Sequence, residues 1–80
     1  MDSKPFLTYE EITRITGRVL QELVDSARES AKAGHPQLVS SAQVMACGAY
    51  SLWDELTVGW QTREDIDRLE KLSAANAFNF

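Results

Sequence analysis

Apolar residues recur along the chain at intervals of three and four, the period of one face of an α-helix, with almost no alternation of the strand type. Turn signals separate three such segments, with Gly34 and Pro36 after the first and Gly59 after the second. The pattern predicts an all-α fold with a single helical domain over residues 1–80. The predicted helices cover residues 9–33, 40–57 and 62–76, with a lead-in over 1–7 and a tail over 77–80.

Two of the predicted helix starts carry a capping box, in which a hydroxyl and a carboxylate or amide side chain bond each other's backbone N–H. Thr8 and Glu11 supply it for the first helix, and Ser40 and Gln43 supply it for the second. Pro36 is an alternative start for the second helix, because proline is favoured at the first helical position. We take Ser40 as the predicted start.

The first two helices carry more apolar surface than one packing seam uses. Apolar positions fill about half of the first helix's circumference, where a single seam takes about a third. One face of the second helix is predicted to be core. It consists of Leu38, Ala42, Met45, Ala49, Leu52, Trp53 and Leu56.

The opposite face of the second helix is small and uncharged, with Ser40, Val44, Cys47, Gly48 and Ser51. A glycine inside a helix costs about 1 kcal/mol relative to alanine, which favours a role in close packing. Two neighbouring helices in a chain of this length cannot cover both apolar surfaces, so we expect a homodimer that uses this face. In the alternative interpretation, the small polar side chains simply face water.

Composition narrows the function further. The net charge is −4, with 12 acidic and 8 basic side chains, which argues against nucleic acid as the main partner. A single cysteine excludes a disulfide framework. No apolar run reaches the ~18 residues that cross a membrane, and the first residues lack a signal-peptide pattern. We therefore expect a soluble, cytoplasmic protein that does not contact membranes.

Few residues could support catalysis. One histidine and one cysteine cannot form a zinc site of the common kinds, and the four glycines lack the spacing of a phosphate-binding loop. Cys47 lies in a predicted helix interior with no base near it in sequence, and His35 lies in the loop before the second helix. The acidic pairs fit helix starts and solubility better than a paired-carboxylate site. The sequence predicts no catalytic residue, cofactor or metal, and hence a protein that is not an enzyme.

The candidate binding residues surround the second helix and the C-terminus. Tyrosine and tryptophan dominate binding hot spots, and the first acidic residues after the uncharged run could border an interface. The two terminal phenylalanines are expected either to fold back over the helices or to dock into a partner. The complete candidate set is Val44, Cys47, Gly48, Tyr50, Ser51, Trp53, Asp54, Glu55, Trp60, Phe78 and Phe80.

One segment resembles part of a known motif. The stretch from Leu7 to Gly17, with Thr8, Ile12 and Thr16, resembles the first half of a helix-turn-helix. The resemblance ends there, because the apolar spacing continues in phase after Gly17. The function we expect is a small acidic regulator, of inhibitor or anti-activator type, that masks a surface or dimerisation face of a larger protein. The alternatives are a self-associating assembly subunit and a DNA-binding protein.

Overall fold

The computed structural model of the chain describes residues 7–80. Within this range the chain forms three α-helices and one 3₁₀ turn, without strands. The elements are α1 (Tyr9–Lys32), α2 (Pro36–Thr57), α3 (Arg63–Ser73) and the 3₁₀ turn η1 (Ala75–Phe78). The prediction of an all-α fold with three helices is confirmed. Residues 1–6 of the predicted lead-in lie outside the described residues.

Helix α1 begins and ends as its sequence predicts. The Thr8 hydroxyl accepts from the Glu11 backbone N–H at 3.1 Å, and the Glu11 carboxylate accepts from the Thr8 N–H at 2.9 Å. The capping box therefore forms. At the other end Gly34 adopts a φ of 81°, which lets the chain reverse, and the His35 N–H donates to the Ser30 carbonyl at 2.9 Å.

Helix α2 begins at Pro36, so the predicted start at Ser40 is wrong. Proline occupies the first helical position, where its missing N–H costs nothing and its fixed φ is already helical. The Leu38 N–H donates to the His35 carbonyl at 3.0 Å and closes the first turn. Ser40 and Gln43, which were predicted to form a capping box, consequently lie inside the helix.

Helix α3 is shorter than predicted. The Thr62 hydroxyl caps it by accepting from the Asp65 N–H at 3.2 Å. It ends at Ser73, three residues before the predicted end at residue 76. Ser73 donates from its hydroxyl to the Glu70 carbonyl at 3.1 Å. The chain then turns through η1, which buries Phe78 against the helices.

Helices α1 and α2 form an antiparallel hairpin, and α3 with η1 lies against one side of it. Leu69 of α3 approaches α1 at Gly17, while the Cys47 Sγ of α2 lies 3.7 Å from the Ser73 carbonyl oxygen. The described residues extend over 45 × 32 × 15 Å, so the assembly of helices is flat. The core consists of Leu20, Val24, Ala27, Ala42, Ala46, Trp53, Leu69 and Phe78.

The core face of α2 differs from the predicted one. Leu38, Met45, Leu52 and Leu56 were expected in the core, yet each is about half or more exposed. The buried residues of α2 are instead Ala42, Ala46, Trp53 and Thr57. Alanines let α1 approach closely, and the Trp53 ring fills the space between the helices. Helix α2 therefore packs on α1 through a face that does not include its larger aliphatic side chains.

Helix α1 runs without interruption through Gly17, so no turn of the helix-turn-helix kind occurs there. A Cβ atom at Gly17 would lie 3.4 Å from Arg68 Nη1 and 3.5 Å from Leu69 Cδ2, which are ordinary contacts. We expect Gly17→Ala to raise the free energy of unfolding by about 0.5–1 kcal/mol, since alanine loses less backbone entropy on folding. Urea denaturation followed by circular dichroism measures this.

Gly48→Ala is the matched control, because a Cβ atom there would meet nothing within 4 Å. It should stabilise the chain by a similar amount. If only the Gly17 variant loses stability, α1 and α3 are in closer contact than these distances allow.

Candidate protein-binding surface

The hairpin has a broad apolar side that no other described element covers. At about 100° per residue, Ile15 and Val19 lie roughly 160° around α1 from Gly17, where α3 packs. Met45 and Leu52 lie similarly far around α2 from Cys47, which also faces α3. We call this side the outer face. It consists of Ile12, Ile15, Val19 and Leu23 of α1 with Leu38, Met45, Leu52 and Leu56 of α2.

The α2 half of the outer face is the more exposed. Leu38 is 49% exposed, Met45 59%, and Leu52 and Leu56 are each 61% exposed. The α1 residues of the face are partly buried. None of the eight positions carries a charge, although a quarter of the chain is charged. Large contiguous apolar surfaces of this kind mark interaction sites in proteins.

A short groove lies on the outer face between residues 15–19 of α1 and 49–56 of α2. Ile15 and Val19 line it from α1, and Leu52 and Leu56 line it from α2. Its volume is about 220 Å³, and it opens to solvent. Thr16, Ala49 and Trp53 complete the lining. Small residues between large ones form grooves on the face, and the side chains of another helix can pack into them.

The predicted small-residue face lies elsewhere, on the exposed back of α2. Val44, Cys47, Gly48 and Ser51 are all exposed, and Val44 reaches 72%. Open space surrounds Gly48, so no described residue packs closely on it. The face is narrow and holds one large apolar side chain. It therefore offers less apolar area than the outer face.

Two of the predicted binding residues lie in the core and are not available to a partner. Trp53 is 1% exposed, and its indole N–H donates to the Thr13 hydroxyl at 2.9 Å. Phe78 is 6% exposed. Tyr50 is half-buried, with its ring centroid 5.7 Å from that of Trp53. Burial raises the pKa of the Tyr50 hydroxyl, and the Glu70 and Asp54 carboxylates raise it further.

The loop after α2 exposes an aromatic side chain. Trp60 is 71% exposed and follows Gly59, whose φ is 89°. Asp54 holds this loop, because its carboxylate accepts from Gln61 Nε2 at 2.8 Å. Glu55 is exposed beside it. Trp60 and the two acidic residues thus all lie near the C-terminal end of α2, with Asp54 about 160° around the helix from Leu56 of the outer face.

Phe80 is half-exposed at the other end of the hairpin. The Arg28 guanidinium lies 5.4 Å from the centroid of its ring, a cation–π arrangement. Phe78 and Phe80 therefore both turn back toward the helices. Only the Phe80 ring retains a surface that another molecule could contact.

The polar groups between α1 and α3 are engaged with one another. The Tyr9 hydroxyl donates to Asp65 Oδ2 at 2.7 Å and accepts from the Thr62 N–H at 3.3 Å. Arg68 Nη2 donates to Asp65 Oδ1 at 2.7 Å. The Tyr9 hydrogen bond, followed by that from Arg68, lowers the pKa of Asp65. This cluster joins the beginnings of α1 and α3.

Loss of the Tyr9 hydroxyl should make stability less dependent on acid. A carboxylate with a lowered pKa in the folded state stabilises the fold above its unfolded pKa of about 3.9, and the contribution disappears as pH falls through the folded pKa. We expect Tyr9→Phe to lower the free energy of unfolding by about 0.5–1.5 kcal/mol at neutral pH, and by less in acid. Urea denaturation across that pH range measures it.

Tyr50→Phe serves as the control, because its hydroxyl has no hydrogen bond to Asp65. This variant should retain the acid dependence of the unmodified chain. A Tyr9→Phe deficit that stays constant into acid would show that Tyr9 does not act through the Asp65 carboxylate.

Two further properties concern the part of the chain that the structure describes. No helix among residues 7–80 combines the length and apolarity needed to cross a membrane. The same residues contain no cluster of three histidine, cysteine or acidic side chains arranged to hold a metal ion.

Sequence reasoning located part of this surface. It recognised the apolar surplus of the first helix but assigned the α2 leucines and Met45 to the core. The available signal was a second row on α2, Leu38–Met45–Leu52, spaced by seven residues beside the alanine row of the seam. No family model matches the chain, and neither a curated protein nor a solved structure matches it.

Proposed function

We propose that this chain is a small, non-enzymatic protein-binding regulator, of inhibitor or anti-activator type. The observation that carries the proposal is the outer face, whose eight residues are apolar and uncharged, with Met45, Leu52 and Leu56 each about 60% exposed. Leaving such side chains in water costs free energy that binding recovers, at about 25 cal/mol per Å² of apolar area.

The mechanism is steric masking. A partner protein with an apolar helical surface would seat that surface along the groove between α1 and α2, and its own contact would then be blocked. The acidic residues Asp54 and Glu55 favour a partner with basic edges, because complementary charge selects partners and speeds encounter. Trp60, beside them, is the kind of exposed aromatic anchor that contributes much of the binding energy in interfaces.

The polar chemistry of the chain supports a binding role. Asp65, the carboxylate with a lowered pKa, is bonded by Tyr9 and Arg68 and serves to join two helices. Cys47 is exposed on the back of α2, with its Sγ near the Ser73 carbonyl. These groups have structural partners, and the proposed mechanism assigns none of them a chemical step.

The same outer face is also compatible with a permanent assembly subunit. A regulator must leave its own complexes to reach a target, whereas a subunit remains in them. Mixing tagged and untagged protein and following the exchange of copies separates these functions. Exchange within minutes supports a regulator, and no exchange over a day supports a subunit.

The proposal is tested with two acidic substitutions on different faces of α2. Leu52→Glu places a carboxylate on the outer face, where Leu52 is 61% exposed, and Val44→Glu places one on the back of α2, where Val44 is 72% exposed. Protein from a lysate of the native host should be captured by the unmodified chain and by Val44→Glu, and lost with Leu52→Glu. The captured protein, once purified, should bind the unmodified chain and Val44→Glu directly with similar affinity, and should bind Leu52→Glu much more weakly. Equal binding of both variants would contradict the proposal.

A further inference from the structure

The outer face has the residue spacing of helices packed side by side in bundles. Leu38, Met45 and Leu52 follow one another at intervals of seven, and Leu56 follows after four. The outer-face residues of α1 are separated by three or four. Rows of this kind interdigitate at the small crossing angles of four-helix bundles. A second helical hairpin therefore has the shape that fits this surface.

The side of the hairpin that carries the outer face is large enough for a stable protein interface. Helix α1 has 24 residues and α2 has 22, so each is about 33–36 Å long at 1.5 Å per residue. Two helices side by side are about 20 Å wide, which gives the whole side of the hairpin, with its polar margins, an area of at most roughly 700 Å². Two such sides in contact along their full length would bury at most about 1,400 Å², which reaches the usual range of about 1,200–2,000 Å² for specific interfaces.

The distribution of charge permits two copies to meet through this face. Each chain carries a net charge of −4, so contact through charged surfaces would be repulsive. The eight residues of the outer face are uncharged. Glu10 and Asp25 lie toward the other side of α1, whereas Glu11, Glu22 and Glu29 border the face. At its edge Glu22 is already paired with Arg18 at 3.2 Å. Pairing of the eight outer-face residues with those of a second copy therefore buries no charge, and the bordering carboxylates would lie at the rim of the contact.

We propose that a second copy of this chain covers the outer face, so that two α1–α2 hairpins form a four-helix bundle with each α3 on the outside. A two-fold interface requires a surface complementary to itself, and an uncharged face with large and small side chains in alternation meets that requirement. The inference rests on the proposed function, because both use the outer face. It adds that self-association regulates binding of the target. A target protein must displace the second copy, so self-association weakens target binding.

This interface differs from the one predicted from the sequence. The predicted dimer used the small-residue face of α2, with Val44, Gly48 and Ser51. The inferred dimer leaves that face in water and buries Met45, Leu52 and Leu56 instead. Single substitutions on the two faces therefore distinguish the two dimers.

The test uses the purified full chain. Light scattering coupled to size exclusion, from micromolar to about 100 µM protein, should report twice the chain mass of 9.0 kDa. Leu52→Glu should weaken self-association about a hundredfold or more, because each copy would bury an unpaired carboxylate. Leu52 is 61% exposed in the single chain, so the variant should keep its helical circular dichroism. Val44→Glu and Ser51→Arg should leave the dimer intact.

Three results would overturn the inference. They are a single 9.0 kDa species at the highest concentration, a species larger than the dimer, and a dimer that Val44→Glu or Ser51→Arg disrupts while Leu52→Glu does not. Failure here is separable from failure of the proposed function. If the chain is a monomer and Leu52→Glu abolishes capture of the partner, the dimer is excluded and the proposed function stands. If the chain is a dimer and the Leu52→Glu variant still binds the partner, the proposed function fails and the dimer stands.

Discussion

Replacing Trp53 with alanine is expected to remove a large part of the free energy of unfolding of the chain. Trp53 is the largest fully buried side chain, at 1% exposure, and it fills the seam between α1 and α2. Removing a buried tryptophan costs about 3–5 kcal/mol, and a domain of this size has a total stability of about 4–12 kcal/mol. The Thr13 hydroxyl would also lose the indole N–H that donates to it at 2.9 Å. Urea denaturation followed by circular dichroism measures the loss.

The chain contains its own control, since Trp60 is 71% exposed. Trp60→Ala should change the free energy of unfolding by less than about 0.5 kcal/mol. Trp53→Phe should fall between the two, because it keeps a ring in the seam and loses only the N–H and part of the volume. Equal effects of Trp53→Ala and Trp60→Ala would contradict the position of Trp53 in the core.

The second large effect is expected for Ala46→Glu. Ala46 is 0% exposed and lies in the core between α1 and α2, where a longer side chain has no space and a carboxylate has no partner. A buried, unpaired charge together with overpacking costs about 4 kcal/mol or more. We therefore expect loss of helical circular dichroism at neutral pH. Partial recovery in acid is expected, because protonation removes the charge but leaves the excess volume.

Val44→Glu is the comparison for this substitution, two residues away on the same helix. Val44 is 72% exposed, so the same new side chain should reach water and leave stability almost unchanged. A folded Ala46→Glu variant would show that the α1–α2 seam opens or rotates easily. The core would then lie on another face of α2.

The number and type of elements could be predicted from the sequence because local signals determine them. Thr8 and Glu11 form the capping box that the sequence indicates, and Gly34 takes the positive φ that ends the turn after α1. These features depend on residues close together in the chain. Helical period alone was enough to identify α1 as a helix with a wide apolar side.

The rotation of α2 could not be predicted in the same way. Leu52 and Trp53 are adjacent and both strongly apolar, so the sequence pattern places them together in the core. The structure buries Trp53 and exposes Leu52, because the alanines at 42 and 46 set how closely α1 approaches. That choice depends on the three-dimensional fit of two helices. Because a different face of α2 is buried, the candidate binding surface is the outer face and not the predicted small-residue face.

The start of α2 shows a limit of local rules. Ser40 with Gln43 and Pro36 are both valid helix starts, and each satisfies the backbone in a different way. The structure uses Pro36 because the turn over residues 33–35 is already closed by the hydrogen bond from the His35 N–H to the Ser30 carbonyl. The extra turn of α2 adds Leu38 to the outer face.

Helix α3 has a consequence for how the protein opens. Its 11 residues contribute two buried side chains, Leu69 and Ser73, and its beginning is held by the bonds among Tyr9, Thr62 and Asp65. Segments with few buried contacts detach at free energies below that of global unfolding. The amide protons of α3 should consequently exchange with deuterium before those at the centre of the hairpin. Each time α3 detaches, a second apolar side of the hairpin would be exposed to solvent. The docking of α3 therefore limits how readily the chain is cleaved by proteases or associates incorrectly.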